Sequence, residues 1–195
     1  MTVDPVPATS PAAVGSRPAP TASKLLIPLA IGAAVSVALG TYGRVHSPTG
    51  VGVLIAGFSG AQAAKAWMAS GVALLALVQL CSALAMYGRL PGVSAPSWTG
   101  QLHRWSGRGA FLLAVPIALH CLYALGLQSY DTRVLLHSLF GCFFFGVFTA
   151  KMLLLPQRGL PGWALPLAGG LAFSAVVGLW LTSSLWFFTT VGVKF

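Results

Sequence analysis

Five long runs of apolar residues, separated by short polar stretches, constrain this chain more than any other feature. The runs cover about residues 24–42, 66–87, 104–127, 133–155 and 163–188. Each is close to the roughly 20 residues that an α-helix needs to cross the core of a bilayer. Backbone groups in lipid must be hydrogen-bonded internally, and the alternation of a β-barrel is missing, so the runs predict helices. The expected fold class is therefore all-α, a polytopic membrane bundle of about five transmembrane helices.

The composition supports a membrane protein and excludes several functions. Charged residues make up only 7% of the 195 residues, whereas a soluble domain carries about 25%. The only acids are Asp4 and Asp131, and neither lies in the middle of an apolar run. A hydrolase with paired carboxylates, an ion pump that protonates buried acids and a hard-cation site all lack their groups.

The formal net charge of +9 comes from Lys and Arg residues that lie mainly between the apolar runs. Such residues set topology and contact anionic headgroups, so the lipid bilayer is the expected partner and nucleic acid is not. With a cytoplasmic N-terminus, seven basic residues fall inside and four outside. The inner set is Arg17, Lys24, Arg89, Arg104, Arg108, Lys151 and Arg158, and the outer set is Arg44, Lys65, Arg133 and Lys194. This asymmetry predicts a multi-pass protein of the cell membrane with its N-terminus in the cytoplasm and its C-terminus outside.

The chain divides into two parts. Residues 1–23 are rich in Pro, Ala, Ser and Thr and are expected to form a disordered tail, whereas residues 24–195 form the helix bundle. The three cysteines, Cys81, Cys121 and Cys142, lie inside apolar runs without the spacing of a zinc site or of covalent haem attachment. They are expected to pack as small apolar residues.

Two histidines carry the main functional prediction. His120 lies near the end of the third run and His137 near the start of the fourth, and the loop between the runs is very short. Helices 3 and 4 are therefore expected to be antiparallel neighbours, with each imidazole roughly 6–11 Å from the same end. Two imidazoles at matched depth can bind the iron of one haem b from opposite sides, in a plane between the helices.

Neighbouring residues fit a haem site. Arg133 precedes His137 by one turn on the same face and could pair with the haem propionates. His103 is a further candidate for cofactor binding, although it lies roughly 25 Å from His120 along the helix and about 100° away around it. It is expected to line the inner interface near a quinone headgroup or a propionate, and a second haem is not expected.

The stretch from Leu102 to Leu155 carries a family resemblance. It begins Leu-His-Arg-Trp-Ser-Gly-Arg at residues 102–108 and includes His120 and His137. It resembles a family of small actinobacterial membrane proteins of unassigned function and, more distantly, the cytochrome b561 and ferric-reductase-like haem b proteins. Those groups imply histidine pairs that hold two stacked haems. Only the pair His120 and His137 is matched here, and there is no room for a flavin or nicotinamide domain.

Three hypotheses of function follow. The first is an electron-transfer subunit with one haem b between helices 3 and 4, at most the redox part of an oxidoreductase complex. Its electrons would be exchanged with a quinone or a separate redox protein, and no residue of the chain would be catalytic. The second is a structural or assembly protein without a cofactor, in which the histidines bond to neighbouring helices. The third is a small transporter with His120 and His137 as a proton relay. It is disfavoured because the apolar runs lack carboxylates and the chain shows no convincing internal repeat.

Overall fold

The computed structural model describes residues 21–52 and 57–195, and within these ranges the chain is helical, with no β-strand. The helices are α1 (Thr21–Val45), α2 (Ala61–Met86), α3 (Thr99–His120), α4 (Thr132–Leu154), α5 (Ala164–Trp180) and the short α6 (Trp186–Thr190). Two π-helical turns, π1 (Cys121–Leu125) and π2 (Leu181–Leu185), continue α3 and join α5 to α6. Most of the predicted tail, residues 1–20, lies outside the described residues.

The predicted set of five membrane-spanning helices is confirmed. The five spans have 23 to 27 residues and contain few charges. At about 1.5 Å per residue, even the shortest exceeds the roughly 30 Å of a bilayer core. Many large apolar side chains point outward, among them Leu26, Leu74 and Leu112, which are 63%, 64% and 70% exposed. Such an apolar surface is stable in lipid and not in water, so the chain is an all-α, multi-pass membrane protein.

Small residues bring α1 and α4 into close contact. A Cβ built on Gly32 would lie 2.5 Å from the backbone oxygen of Gly146, and one built on Gly146 would overlap the Ser36 side chain. The Ser36 hydroxyl donates a hydrogen bond of 3.0 Å to the backbone oxygen of Cys142. Without a hydrophobic force between helices in lipid, such close contact and interhelical hydrogen bonding drive association.

The helices are arranged in the order α1, α4, α5, α2, α3, and π1 returns to contact α1. The core lies where α2, α3, α4 and α5 converge, and its buried residues are Val72, Ala76, Ala114, Phe144, Ala175 and Val176. One end of the bundle contains the C-terminal ends of α1 and α3, the starts of α2 and α4, and the turns π1 and π2. We call it the cavity end, because a cavity described below opens there.

The prediction that α3 and α4 pack closely along each other is wrong. They are joined by a short loop, but α3 packs along α2, whereas α4 packs against α1 and α5. The two helices meet mainly through aromatic side chains, since Phe111 stacks on Phe148 at 4.5 Å and contacts Phe145 edge-on at 6.3 Å. Because these bulky rings separate the backbones, a cavity remains between α3 and α4 at the cavity end.

Candidate functional site

The cavity has a volume of about 520 Å³ and is lined by residues of all five spans. This size lies within the range of roughly 300–1,000 Å³ that holds small molecules and cofactors. Its apolar wall includes Leu39, Ile117, Leu122, Phe145 and Phe187. Its polar and charged residues include Gln62, Lys65, Arg133, His137, Ser138, Thr182 and Ser183. The cavity therefore suits a molecule with a large apolar body and a polar or anionic end.

His137 lines this cavity with its ring held in a defined orientation. The Nδ1 atom lies 3.1 Å from the hydroxyl oxygen of Thr182. That hydroxyl donates its own proton to the backbone oxygen of Gly178 at 2.7 Å. With that proton used, the Thr182 oxygen can accept a hydrogen bond from Nδ1–H of His137. In that tautomer the lone pair is on Nε2, which is the arrangement of histidines that bind metals.

Arg133 lines the same cavity and is fixed by three contacts. Its guanidinium donates a hydrogen bond of 2.8 Å to the backbone oxygen of Thr182. It stacks on the Trp186 ring at 4.0 Å and lies 3.8 Å from the Asp131 carboxylate. The guanidinium has five N–H donors, so these contacts leave others for an anion. The predicted proximity of Arg133 and His137 is therefore present, and both side chains are bonded to Thr182.

His120 lies beside the cavity, not on its surface. It is 5% exposed and does not belong to the lining, although the next residue, Cys121, does. Ser106 and Leu113 face Gln79 and Gly71 of α2, and His120 follows Leu113 by about two turns on the same face. His120 is therefore placed on the face of α3 that packs against α2.

His103 lies at the opposite end of the bundle. Its Nδ1 atom is 2.8 Å from the Ser82 hydroxyl, and Gln79 donates to its backbone oxygen. Gln79 also donates a hydrogen bond of 2.8 Å to the Ser106 hydroxyl. These contacts join α2 to α3, so the structure uses His103 for packing between helices and keeps it apart from the cavity.

Sequence reasoning missed three features of the site. Lys65 was assigned only to the outer charges, yet it lines the cavity. Thr182 was not singled out, although three consecutive hydroxyl residues, 182–184, interrupt the fifth apolar run and were a usable signal. The π-helical turns, π1 and π2, both line the cavity as well. Such turns are rare, occur frequently at functional sites, and have no simple sequence signature.

The fold and the site together describe a membrane protein of five spans with a cavity at one end that is lined by apolar and cationic residues. The chain belongs to the family of unknown function DUF6529, which matches residues 25–195. No curated protein and no solved structure matches the chain. Among the described residues, no three His, Cys, Asp or Glu side chains converge in a group that could hold a metal ion.

Proposed function

We propose that this protein is a b-type cytochrome-like electron-transfer subunit that binds one haem b in the cavity between α3 and α4. The observation that carries the proposal is the position of His137, which lines the cavity and has its Nδ1 atom 3.1 Å from the Thr182 hydroxyl oxygen. In the Nδ1–H tautomer, Nε2 carries the lone pair that can bind a metal. A porphyrin supplies four nitrogen ligands itself, so one or two imidazoles are sufficient to hold its iron.

The residues present fit the group. His137 would hold the haem iron, and Arg133 would pair with a propionate through its remaining donors. The apolar wall, including Ile117, Leu122 and Phe145, would exclude water from the macrocycle. Bound haem would supply a one-electron couple, and the protein would tune its potential through ligation, burial and the nearby cations.

His120 is the proposed second ligand. Because it is absent from the cavity lining, its side chain would have to turn about the Cα–Cβ bond to bring a ring nitrogen into the cavity. The π1 turn begins at the next residue, and π-helical turns occur frequently at functional sites.

The electron partners are proposed from the bundle's surroundings. A quinone in the bilayer or a separate redox protein would exchange electrons with the haem, as the distant resemblance to cytochrome b561 and ferric-reductase-like proteins suggests. With the N-terminus in the cytoplasm, the cavity end would face outward, and that side would be the place of exchange.

A reduced-minus-oxidised absorption spectrum of the detergent-purified protein tests the proposal. The wild-type protein, expressed with ample haem, should show sharp α and Soret bands, and H137A should lose them. H46A is the matched control, because His46 lies at the same end but stacks between Tyr42 and Tyr123 outside the cavity lining. A colourless wild-type protein would favour the cofactor-free structural role instead.

The same preparation tests His120. If His120 is the second ligand, electron paramagnetic resonance of the ferric protein should show a low-spin signal that becomes high-spin in H120A. An unchanged low-spin signal in H120A would remove His120 from the ligand set while leaving His137 in place.

A further inference from the structure

Two cations from different helices line the cavity, and only one of them has an acidic partner. Lys65 is half-buried in the second turn of α2, and Arg133 lies in the first turn of α4. Asp131 is the only acidic side chain in the described ranges, and it lies 3.8 Å from Arg133. Lys65 has no such ion pair within those ranges.

An unpaired cation at the edge of a membrane-spanning segment is costly unless an anion or water compensates it. Lys65, Arg133 and His137 all line the same cavity, so both charges act on the space beside His137. The rest of the lining is mainly apolar. The charge distribution therefore selects a ligand that has an apolar body and carries its negative charges at one end.

Arg133 is also positioned in advance. Its stacking on Trp186 and its hydrogen bond to Thr182 hold the guanidinium without a bound ligand. A group fixed in this way loses little conformational entropy on binding. Lys65 has a flexible four-carbon side chain whose ammonium can adjust to a second anionic group.

We propose that Lys65 and Arg133 form a two-point clamp for an anionic amphiphile. The identity of the ligand rests on the proposed function. Under that function, the anionic groups that contact Lys65 and Arg133 would be the two propionates of one haem. An anionic lipid headgroup has the same chemistry of charge joined to an apolar body, and the experiment separates the two sources.

The test measures ligand binding to purified wild-type protein, K65Q and R133Q. Haem is titrated into haem-depleted protein, and native mass spectrometry follows phosphatidylglycerol and phosphatidylcholine added in mixed micelles. R44Q is the matched control, since Arg44 is an exposed cation at the same end of the bundle that does not line the cavity. The apparent dissociation constant for haem should rise about tenfold or more in K65Q and in R133Q, and remain unchanged in R44Q.

The outcomes distinguish this inference from the proposed function. Haem binding lost in H137A but unchanged in K65Q would overturn the clamp and leave the haem site intact. No haem binding, together with selective retention of phosphatidylglycerol that K65Q abolishes, would overturn the haem proposal and leave the clamp. R133Q could weaken binding by disturbing the fold, because Arg133 also contacts Thr182 and Trp186. K65Q is the cleaner variant, because Lys65 has no ion pair to lose within the described residues.

Discussion

At the scale of single residues, Thr182 organises the site without being a candidate ligand. Its hydroxyl donates to the backbone oxygen of Gly178 and lies 3.1 Å from Nδ1 of His137, and its backbone oxygen accepts from Arg133. One residue of π2 therefore contacts two side chains of α4. Outer partners of this kind commonly set the tautomer and direction of a metal-binding histidine.

Replacement of Thr182 tests this role. T182V keeps the shape of the side chain but removes the acceptor for Nδ1–H, so the His137 ring can rotate and change tautomer. Haem affinity should fall about 10- to 100-fold, the usual effect of losing such a partner, and T182S should restore it. The measurement is the haem-to-protein ratio after purification together with a haem titration.

Thr189 provides the matched control for T182V. Its hydroxyl also bonds to a backbone oxygen of the preceding turn, that of Leu185, but the residue is exposed and outside the cavity. T189V should leave haem binding unchanged. Equal haem affinity in T182V and wild-type protein would contradict the role assigned to Thr182.

At the scale of elements, the contact of α1 with α4 depends on residues that lack bulk. A Cβ on Gly146 would meet the Ser36 side chain and lie 2.5 Å from the Gly32 oxygen. This crossing holds the wall of α4 that carries His137 and Arg133. The π2 turn matters at the same scale, because it sets the direction in which Thr182, Ser183 and Trp186 point.

Gly146 and Gly170 form a matched pair for a stability test. G146A must push α1 away from α4, and overpacking of this kind costs about 1–3 kcal/mol. G170A meets nothing within 4 Å and lies in α5, where Ala has the higher helix propensity, so its stability should be equal or slightly greater. Thermal unfolding in detergent compares the two variants, and an equal midpoint for G146A and wild-type protein would show that the helix crossing adapts without cost.

At the scale of the whole molecule, the five spans place the two ends of the bundle on opposite sides of the membrane. Lys24 donates a hydrogen bond of 2.9 Å to the backbone oxygen of Arg158, which joins the start of α1 to the loop between α4 and α5. Five spans, an odd number, lie between the start of α1 and residue 195 in the part of the chain that the structure describes. The distribution of basic residues predicts which side is cytoplasmic.

Reporter fusions test this orientation. A C-terminal alkaline phosphatase should be active and a C-terminal green fluorescent protein dark, because the predicted C-terminus lies outside. An N-terminal green fluorescent protein should be bright. The reverse pattern would place the cavity end in the cytoplasm and would require a cytoplasmic electron partner for the proposed haem.

The sequence by itself determined the five spans and the all-α class, because length and continuous hydrophobicity leave a chain in lipid few other ways to satisfy its backbone. It also brought Arg133 and His137 together, since both lie on one face of one helix. What only the tertiary structure decided is the cavity, the position of His120 outside the cavity lining, and the contributions of Lys65 and Thr182. Those features depend on which helices become neighbours. The size of the side chains at contacts such as Gly32 with Gly146 and Phe111 with Phe148 determines which helices pack together. The periodicity of a single apolar run does not contain that information.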